Sequence, residues 1–376
     1  MISGVLRLRW MFCFLLGITA LSVSVLGRVQ VAFAEDIEYT ITDLGIGYVF
    51  SRALDINNSG EVVGYIQTNT QEDHAFLWSN GVMSDLGTLG GTLSYAHAIN
   101  DKGEVIGEFW SGVNSKSFLY KDGVMNDLGT LGGTTSSQAW DINKKGQITG
   151  SYDYAGYYKP FLYNKGAISN LGTLGGTLAF AYGINNKREV VGVSHLSGDS
   201  SASAFIWSRG VMTDLGTLGG SYSVAYRIND KGQVVGYSPI YGNSEIHAFL
   251  YSDGVINDLG TLGGPNSWAY DINKFGHVVG MLGFPTGWGR AFLYKDGEMK
   301  DLNSLVKLDT GWILSEATGI NDFGQIVGLA TVYGYGHAFL LSPVPTPHHA
   351  APLDEWVGGI GGGWEEEVQE VGGAKK

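Results

Sequence analysis

The chain has 376 residues, of which 16% are charged, 12% aromatic and 58 are glycine, and it carries a formal net charge of −13. An acidic chain of this kind lacks the clustered Lys and Arg that phosphate backbones and anionic lipid surfaces require, so nucleic acid is excluded as an expected partner. The single cysteine, Cys13, excludes a disulfide-stapled fold and leaves stability to a buried core.

The first element in chain order is an export signal. Arg7 and Arg9 precede an apolar run from Trp10 to Leu26, and Ala32-Phe33-Ala34 supplies the small-x-small pattern cleaved before Glu35. An uncleaved membrane anchor is the competing reading, but the run is short for a span of about 20 residues. Residues 1–34 are therefore expected to leave, taking Cys13 with them. The expected location is secreted, extracellular or at a bacterial cell surface, with the periplasm also open, and without stable membrane insertion after cleavage.

Next comes an isolated strand-sized segment, Tyr39 to Leu44, and then repetition. Asp-Leu-Gly-Thr-Leu-Gly-Gly begins at Asp85, Asp127, Asp214 and Asp258, with Asn170 in place of Asp once and a diverged copy at Asp301. A second landmark, Ile-Asn, falls at Ile56, Ile99, Ile142, Ile184, Ile228, Ile272 and Ile320, which makes seven repeats. Each holds four strand-sized segments parted by turn residues, as in Tyr95 to Asn100, Glu104 to Phe109, Ser117 to Tyr120 and Val124 to Leu128. The first turn, Asn100-Asp101-Lys102-Gly103, and the third, ending at Gly123, both place glycine where a tight hairpin needs positive φ. Arg188 stands in that first-turn position in the fourth repeat.

Four strands in 40 to 45 residues is the size of one propeller blade, although two coils of a parallel β-helix would also fit. The chain ends favour the propeller. Tyr39 to Leu44 matches a fourth strand without its three predecessors, while the seventh repeat stops after its third strand at His337 to Leu341. The expected fold is thus all-β: a seven-bladed β-propeller of four-stranded blades over residues 35–342, closed by the N-terminal strand completing the last blade.

These residues resemble the HAF-repeat family of bacterial extracellular proteins. The triplet stands at His74-Ala75-Phe76, His247-Ala248-Phe249 and His337-Ala338-Phe339, and its Phe recurs at Phe118, Phe161, Phe205 and Phe292. The resemblance covers residues 39–342 and implies export and repetition, but no activity. It also implies a C-terminal Pro-Glu-Pro sorting signal. Here Pro345-Thr346-Pro347 departs from that pattern, and residues 343–376 read as a flexible tail rich in Pro, Gly and Glu.

No catalytic residue stands out. Gly-x-Ser-x-Gly is absent, and one Asp or His per repeat cannot converge on a single substrate. The Asp of each Asp-Leu-Gly is expected to hold an Asx turn. His74, His247 and His337 are not expected to bind metal, no cofactor is expected, and calcium is the one weak candidate.

A single binding site must break the repeat, and two places do. The loops between second and third strands carry Trp110, Tyr152, Tyr154, Tyr157, Tyr158, Tyr241, Trp288, Tyr333 and Tyr335. Flat aromatics there could stack on sugar rings or anchor a protein, or could simply pack over the strands. Two residues after each recurring alanine the series is acidic or small and Arg227 breaks it, so Asp55, Asp141, Asp271 and Arg227 could line a polar channel or satisfy one another's buried charge. The expected function is a secreted, monomeric, non-catalytic binding or surface-scaffold module for an extracellular glycan or protein. The alternative is a propeller enzyme acting on extracellular polysaccharide.

Overall fold

The computed structural model describes residues 39–284 and 289–344. The expected signal peptide with Cys13, the loop residue Trp288 and the tail beyond Val344 lie outside the described residues.

The described chain is all-β, with only two short 3₁₀ turns, Tyr241–Asn243 and Leu302–Ser304. No helix among the described residues is long and apolar enough to cross a membrane. The strands form antiparallel four-stranded sheets in sequence order, and no sheet closes on itself. The fifth and sixth repeats run together as one eight-stranded path, joined by a single parallel pairing of Ile246 with Asn266. The first strand, Tyr39–Asp43, pairs antiparallel with the last, Tyr335–Pro343, and so supplies the fourth strand of the seventh repeat.

Local chemistry sets this pattern. The hairpins between third and fourth strands place Asn80-Gly81, Asp122-Gly123 and Asp253-Gly254 with both residues at positive φ, the type I′ turn whose twist matches the flanking strands. One Phe per repeat, from Phe76 to Phe339, is fully buried at the centre of its own sheet. Its ring edge lies so close to the second strand that a Cβ on Gly107 would meet Phe118 Cε1 at 2.8 Å and the Tyr95 carbonyl oxygen at 1.9 Å. Glycine is required there by close approach, not by φ.

Neighbouring repeats are joined by side chains. Each Asn of the Ile-Asn landmark accepts two backbone N–H groups of its own turn through Oδ1, as Asn143 does from Lys145 and Gln147. Its Nδ2 donates to the carbonyl of the next landmark Asn, in the order Asn57, Asn100, Asn143, Asn185, Asn229, Asn273 and Asn321, at 3.0 to 3.2 Å. The seventh, Asn321, donates back to the Asn57 carbonyl at 3.0 Å, so the series of bonds returns to its start. A second joint runs from Ala75 N to Ser94 Oγ and on to the Gly87 carbonyl, and Ser51 repeats part of it with Ala338 N.

The HAF and Asp-Leu-Gly signatures are two halves of one contact. Asp85 accepts the Gly87 N–H through Oδ1, which makes the expected Asx turn, and meets His74 Nδ1 at 2.8 Å through Oδ2. His247–Asp258 and His337–Asp43 repeat this pair, and Arg290–Asp301 substitutes a guanidinium at 2.7 Å. Where Asn170 removes the charge, Lys159 turns away to the Thr177 carbonyl.

Candidate functional site

Every inner strand carries the same irregularity. The register slips between the recurring alanine and the residue two along: Ala53/Asp55, Ala96/Ala98, Ala139/Asp141, Ala181/Gly183, Ala225/Arg227, Ala269/Asp271 and Ala317/Gly319. A bulge leaves one residue unpaired and re-aims its side chain. The seven re-aimed residues are Leu54, His97, Trp140, Tyr182, Tyr226, Tyr270 and Thr318, and all of them line a single cavity of about 420 Å³ together with Arg52 and Arg227.

Five of these side chains form a continuous aromatic arc through consecutive repeats. His97 stacks on Trp140 with centroids 4.3 Å apart and planes 7° from parallel. Trp140 then meets Tyr182 at 5.7 Å, Tyr182 meets Tyr226 at 5.5 Å, and Tyr226 meets Tyr270 at 5.8 Å. Burial pushes the Tyr182 phenol up to about 12 and raises those of Tyr226 and Tyr270 further, so all three remain neutral hydroxyls. Across from the arc, Arg52 donates to Glu316 at 2.9 Å.

The residues that follow the bulges sit deeper. Asp55 accepts from Ile56 N at 2.8 Å and from Ile99 N of the next repeat at 2.9 Å. Asp141 bridges Ile142 N and Ile184 N in the same way, and Asp271 bridges Ile272 N and Ile320 N. Arg227 donates to the Tyr182 carbonyl at 3.0 Å and lies 3.9 Å from Asp271. Burial lifts Asp55 to about 7 and Asp271 to about 6; Arg227 pulls each down, and neighbouring carboxylates push back up. Burial also opposes the Arg227 charge, but Asp141, Asp55 and Asp271 outweigh it and hold the guanidinium above its ordinary pKa. The four residues expected to line a channel are therefore brought together, and each carboxylate oxygen of the three Asp residues already holds a backbone N–H.

One carboxylate near the cavity is uncommitted. Glu108, on the second strand of the second repeat, is 7% exposed, and its Oε2 has no hydrogen-bond partner among the described residues. Its Oε1 lies 3.9 Å from His97 Nε2. Trp140 Nε1 is likewise a buried donor without an acceptor.

The loop aromatics are not brought together in this cavity. Tyr154 and Tyr157 face each other across one hairpin, Tyr333 and Tyr335 share a second, and Tyr241 lies on a third loop; all five are exposed, Tyr241 by 87%. Trp110 is half-buried in its strand, Tyr158 is half-buried 5.0 Å from Phe180, and Tyr152 packs on Phe161. Sequence reasoning missed the bulge residues by a single position. Their signal was present nonetheless: a variable residue framed by a fixed alanine before it and a fixed Ile-Asn after it.

Among the described residues no group of three or more His, Cys, Asp or Glu is placed to hold a metal ion. At the opposite end of the inner strands a shallower space of about 190 Å³ is rimmed by the landmark Asn residues and by a polar set including Asn58, Asp101, Lys144 and Asp322. That rim is bonded to itself, with Asn58 N donating to Asp101 and Lys144 Nζ 2.8 Å from Asp101.

Residues 176–339 match a protein family of unknown function, DUF3466. Comparison with curated proteins gives no match. Among solved structures, a puromycin-hydrolysing peptidase of Mycobacterium tuberculosis is similar at a TM-score of 0.55 and 10% identity over 79% of this chain. The β-propeller domain of the trilobed protease of Pyrococcus furiosus is similar at 0.53 and 12% identity, over 78% of this chain and 95% of that one. An acylaminoacyl peptidase of Pyrococcus horikoshii scores 0.50 at 10% identity. The chain spans about half the length of the two peptidases, 52% in each case. At such identities the likeness is one of fold: an all-β chain whose structural neighbours are propellers.

Proposed function

We propose that the chain is an exported, non-catalytic binding protein: a seven-bladed propeller closed by its N-terminal strand, which takes a glycan in the cavity at the bulged ends of its inner strands. The closed form is supported by the Asn series that returns from Asn321 to Asn57 and by the pairing of Tyr39–Asp43 with the last strand. The signal-like N-terminus and the HAF resemblance support export.

The observation that carries the binding reading is the arc from His97 to Tyr270 along one wall of a 420 Å³ cavity. A cavity in the range of about 300–1,000 Å³, with aromatic walls and a few polar groups, is the usual form of a small-ligand site. Rigid rings offer stacking area at low entropic cost, and the Arg52–Glu316 pair opposite supplies polar contacts for hydroxyls. Against the enzyme alternative, the Asp oxygens below the cavity are engaged by backbone N–H groups. Asp141 and Asp271 thereby lock adjacent repeats together and do not face a substrate.

The test is thermal unfolding and titration calorimetry of the full chain against an oligosaccharide panel, with product analysis of every mixture. A ligand at about 100 times its Kd adds roughly 2.7 kcal/mol to the folded state. One glycan class should shift the transition and remain intact. Cleaved product would establish the enzyme instead, and a cooperatively folded protein that binds no glycan would move the role to a protein partner or scaffold.

A further inference from the structure

We infer that His97 in the cavity wall, together with Glu108 packed beside it, recognises a free primary amine, so that the bound glycan is an amino sugar and not a neutral one. The inference rests on the cavity being the binding site and adds the chemical group it selects.

The Ala139 carbonyl can only accept, so His97 Nδ1, 2.9 Å away, carries the hydrogen and donates it. Burial lowers the pKa of this imidazole, which leaves the ring neutral and Nε2 a bare acceptor. Nε2 faces a second acceptor, Glu108 Oε1, at 3.9 Å. Two acceptors at that separation form no bond to each other. A donor atom about 2.8 Å from both fits between them, and an ammonium group, with three donors and no lone pair, satisfies both.

The surroundings favour a cation. Trp140, stacked on His97, and the tyrosines after it present the aromatic faces that attract an ammonium group. The two guanidinium groups at the cavity are already engaged, Arg52 by Glu316 and Arg227 by the Tyr182 carbonyl and the Asp residues around it. Glu108 Oε2 and Glu316 Oε1 both lack a hydrogen bond among the described residues, but Glu316 is ion-paired to Arg52, whereas Glu108 has only His97 beside it. The Glu108 oxygen is already buried, so the carboxylate carries a desolvation cost that a neutral ligand leaves in place and an ammonium group offsets.

The experiment titrates the full chain with oligomers of glucosamine, N-acetylglucosamine and glucose of equal length at neutral pH, for the native protein and for Glu108→Gln. The glucosamine oligomer should bind at least about tenfold tighter than its acetylated counterpart, a preference that shrinks with added salt because its source is charge. Glu108→Gln should abolish the preference, with thermal unfolding confirming that the variant is folded; His97→Phe, which keeps a ring and removes the other acceptor, is the substitute if it is not. Equal affinity for the free and acetylated amines, or a preference that survives both substitutions, overturns the amine inference and leaves the glycan reading standing. Failure of all three oligomers to bind overturns the amine inference, and failure of the whole oligosaccharide panel overturns both.

Discussion

Asn57 directly follows the end of an inner strand and Leu54 lies three residues back within it, yet the two positions follow opposite rules. The first is the same residue in all seven repeats, and its side chain spends every polar atom on its own turn and on the neighbouring repeat. The second is leucine, histidine, tryptophan, tyrosine three times and threonine, and together these side chains wall a cavity. Sevenfold sameness marks a joint between repeats, because each joint has the same geometry to satisfy. A departure from sameness marks the place where seven strands present different side chains to one cavity, the site of the proposed ligand.

If that contrast is right, the largest effect comes from breaking a joint. In Asn143→Ala the Asn185 carbonyl, the Gln147 side chain and two turn N–H groups all lose a partner in a buried setting. Leaving several buried groups unsatisfied should cost about 3 kcal/mol, read as a lower midpoint in urea. Glycan affinity of the fraction that remains folded should be unchanged. Loss of affinity at full stability would mean that the joint belongs to the site.

The reverse pattern is expected at the bulge. Tyr226→Ala, at the centre of the arc, should weaken glycan binding about tenfold, the loss of one stacking face worth about 1.4 kcal/mol. Its effect on the unfolding midpoint should be smaller than that of Asn143→Ala, because Tyr226 is only half-buried. Stability loss without affinity loss would make the arc a packing feature.

What the sequence could disclose follows the same division. The four strands of each repeat, the Asn-Gly and Asp-Gly hairpins and the Asx turns are local, so residues a few positions apart announce them. The joints are not local: Asn100 bonds a residue 43 positions away, and spacing alone marks it as a landmark without a role. The bulge is harder still, since a slip of one residue moves the site from Asp141 to Trp140 and from Arg227 to Tyr226. Glu108 reads as an ordinary member of a strand until His97 is seen 3.9 Å away. The loop tyrosines attracted notice because exposure and variability go together in loops, whereas the tyrosines that converge are marked only by their place between the recurring alanine and Ile-Asn.

The two ends should also answer oppositely to pH. At the Asn end burial works to raise Asp101 and Glu104, but Lys144 with Asn58, and Asn100 with Lys121, outweigh it and hold both carboxyls below the ordinary value. Their contribution to stability is present at neutral pH and is lost as pH falls through their lowered folded-state pKa. Beneath the cavity Asp55 and Asp271 are raised to about 7 and about 6, so the folded state holds protons that the unfolded chain releases. That contribution is complete below the ordinary carboxylate pKa and is lost as pH rises through 6 to 7. Melting temperature should therefore decline between about pH 4 and pH 7, and Asp55→Asn, which fixes a neutral group there, should flatten the decline. An unchanged slope would show that the Asp55 carboxyl titrates in the ordinary range.

The smallest effect tests whether sameness at the joint end reflects geometry alone. In six repeats the first turn ends in glycine with φ between 73° and 97°, while in the fourth Arg188 takes φ 67°. A side chain in the left-handed region costs about 1 kcal/mol or more, partly offset by the larger chain entropy that glycine loses on folding. Arg188 is exposed, so Arg188→Gly forfeits no packing. The substitution should raise stability by about 0.5 kcal/mol, and the reciprocal Gly103→Ala, at φ 73°, should lower it by a similar amount or more. If both changes destabilise, Arg188 has a role of its own, and the fourth repeat is set apart at both ends of its inner strand.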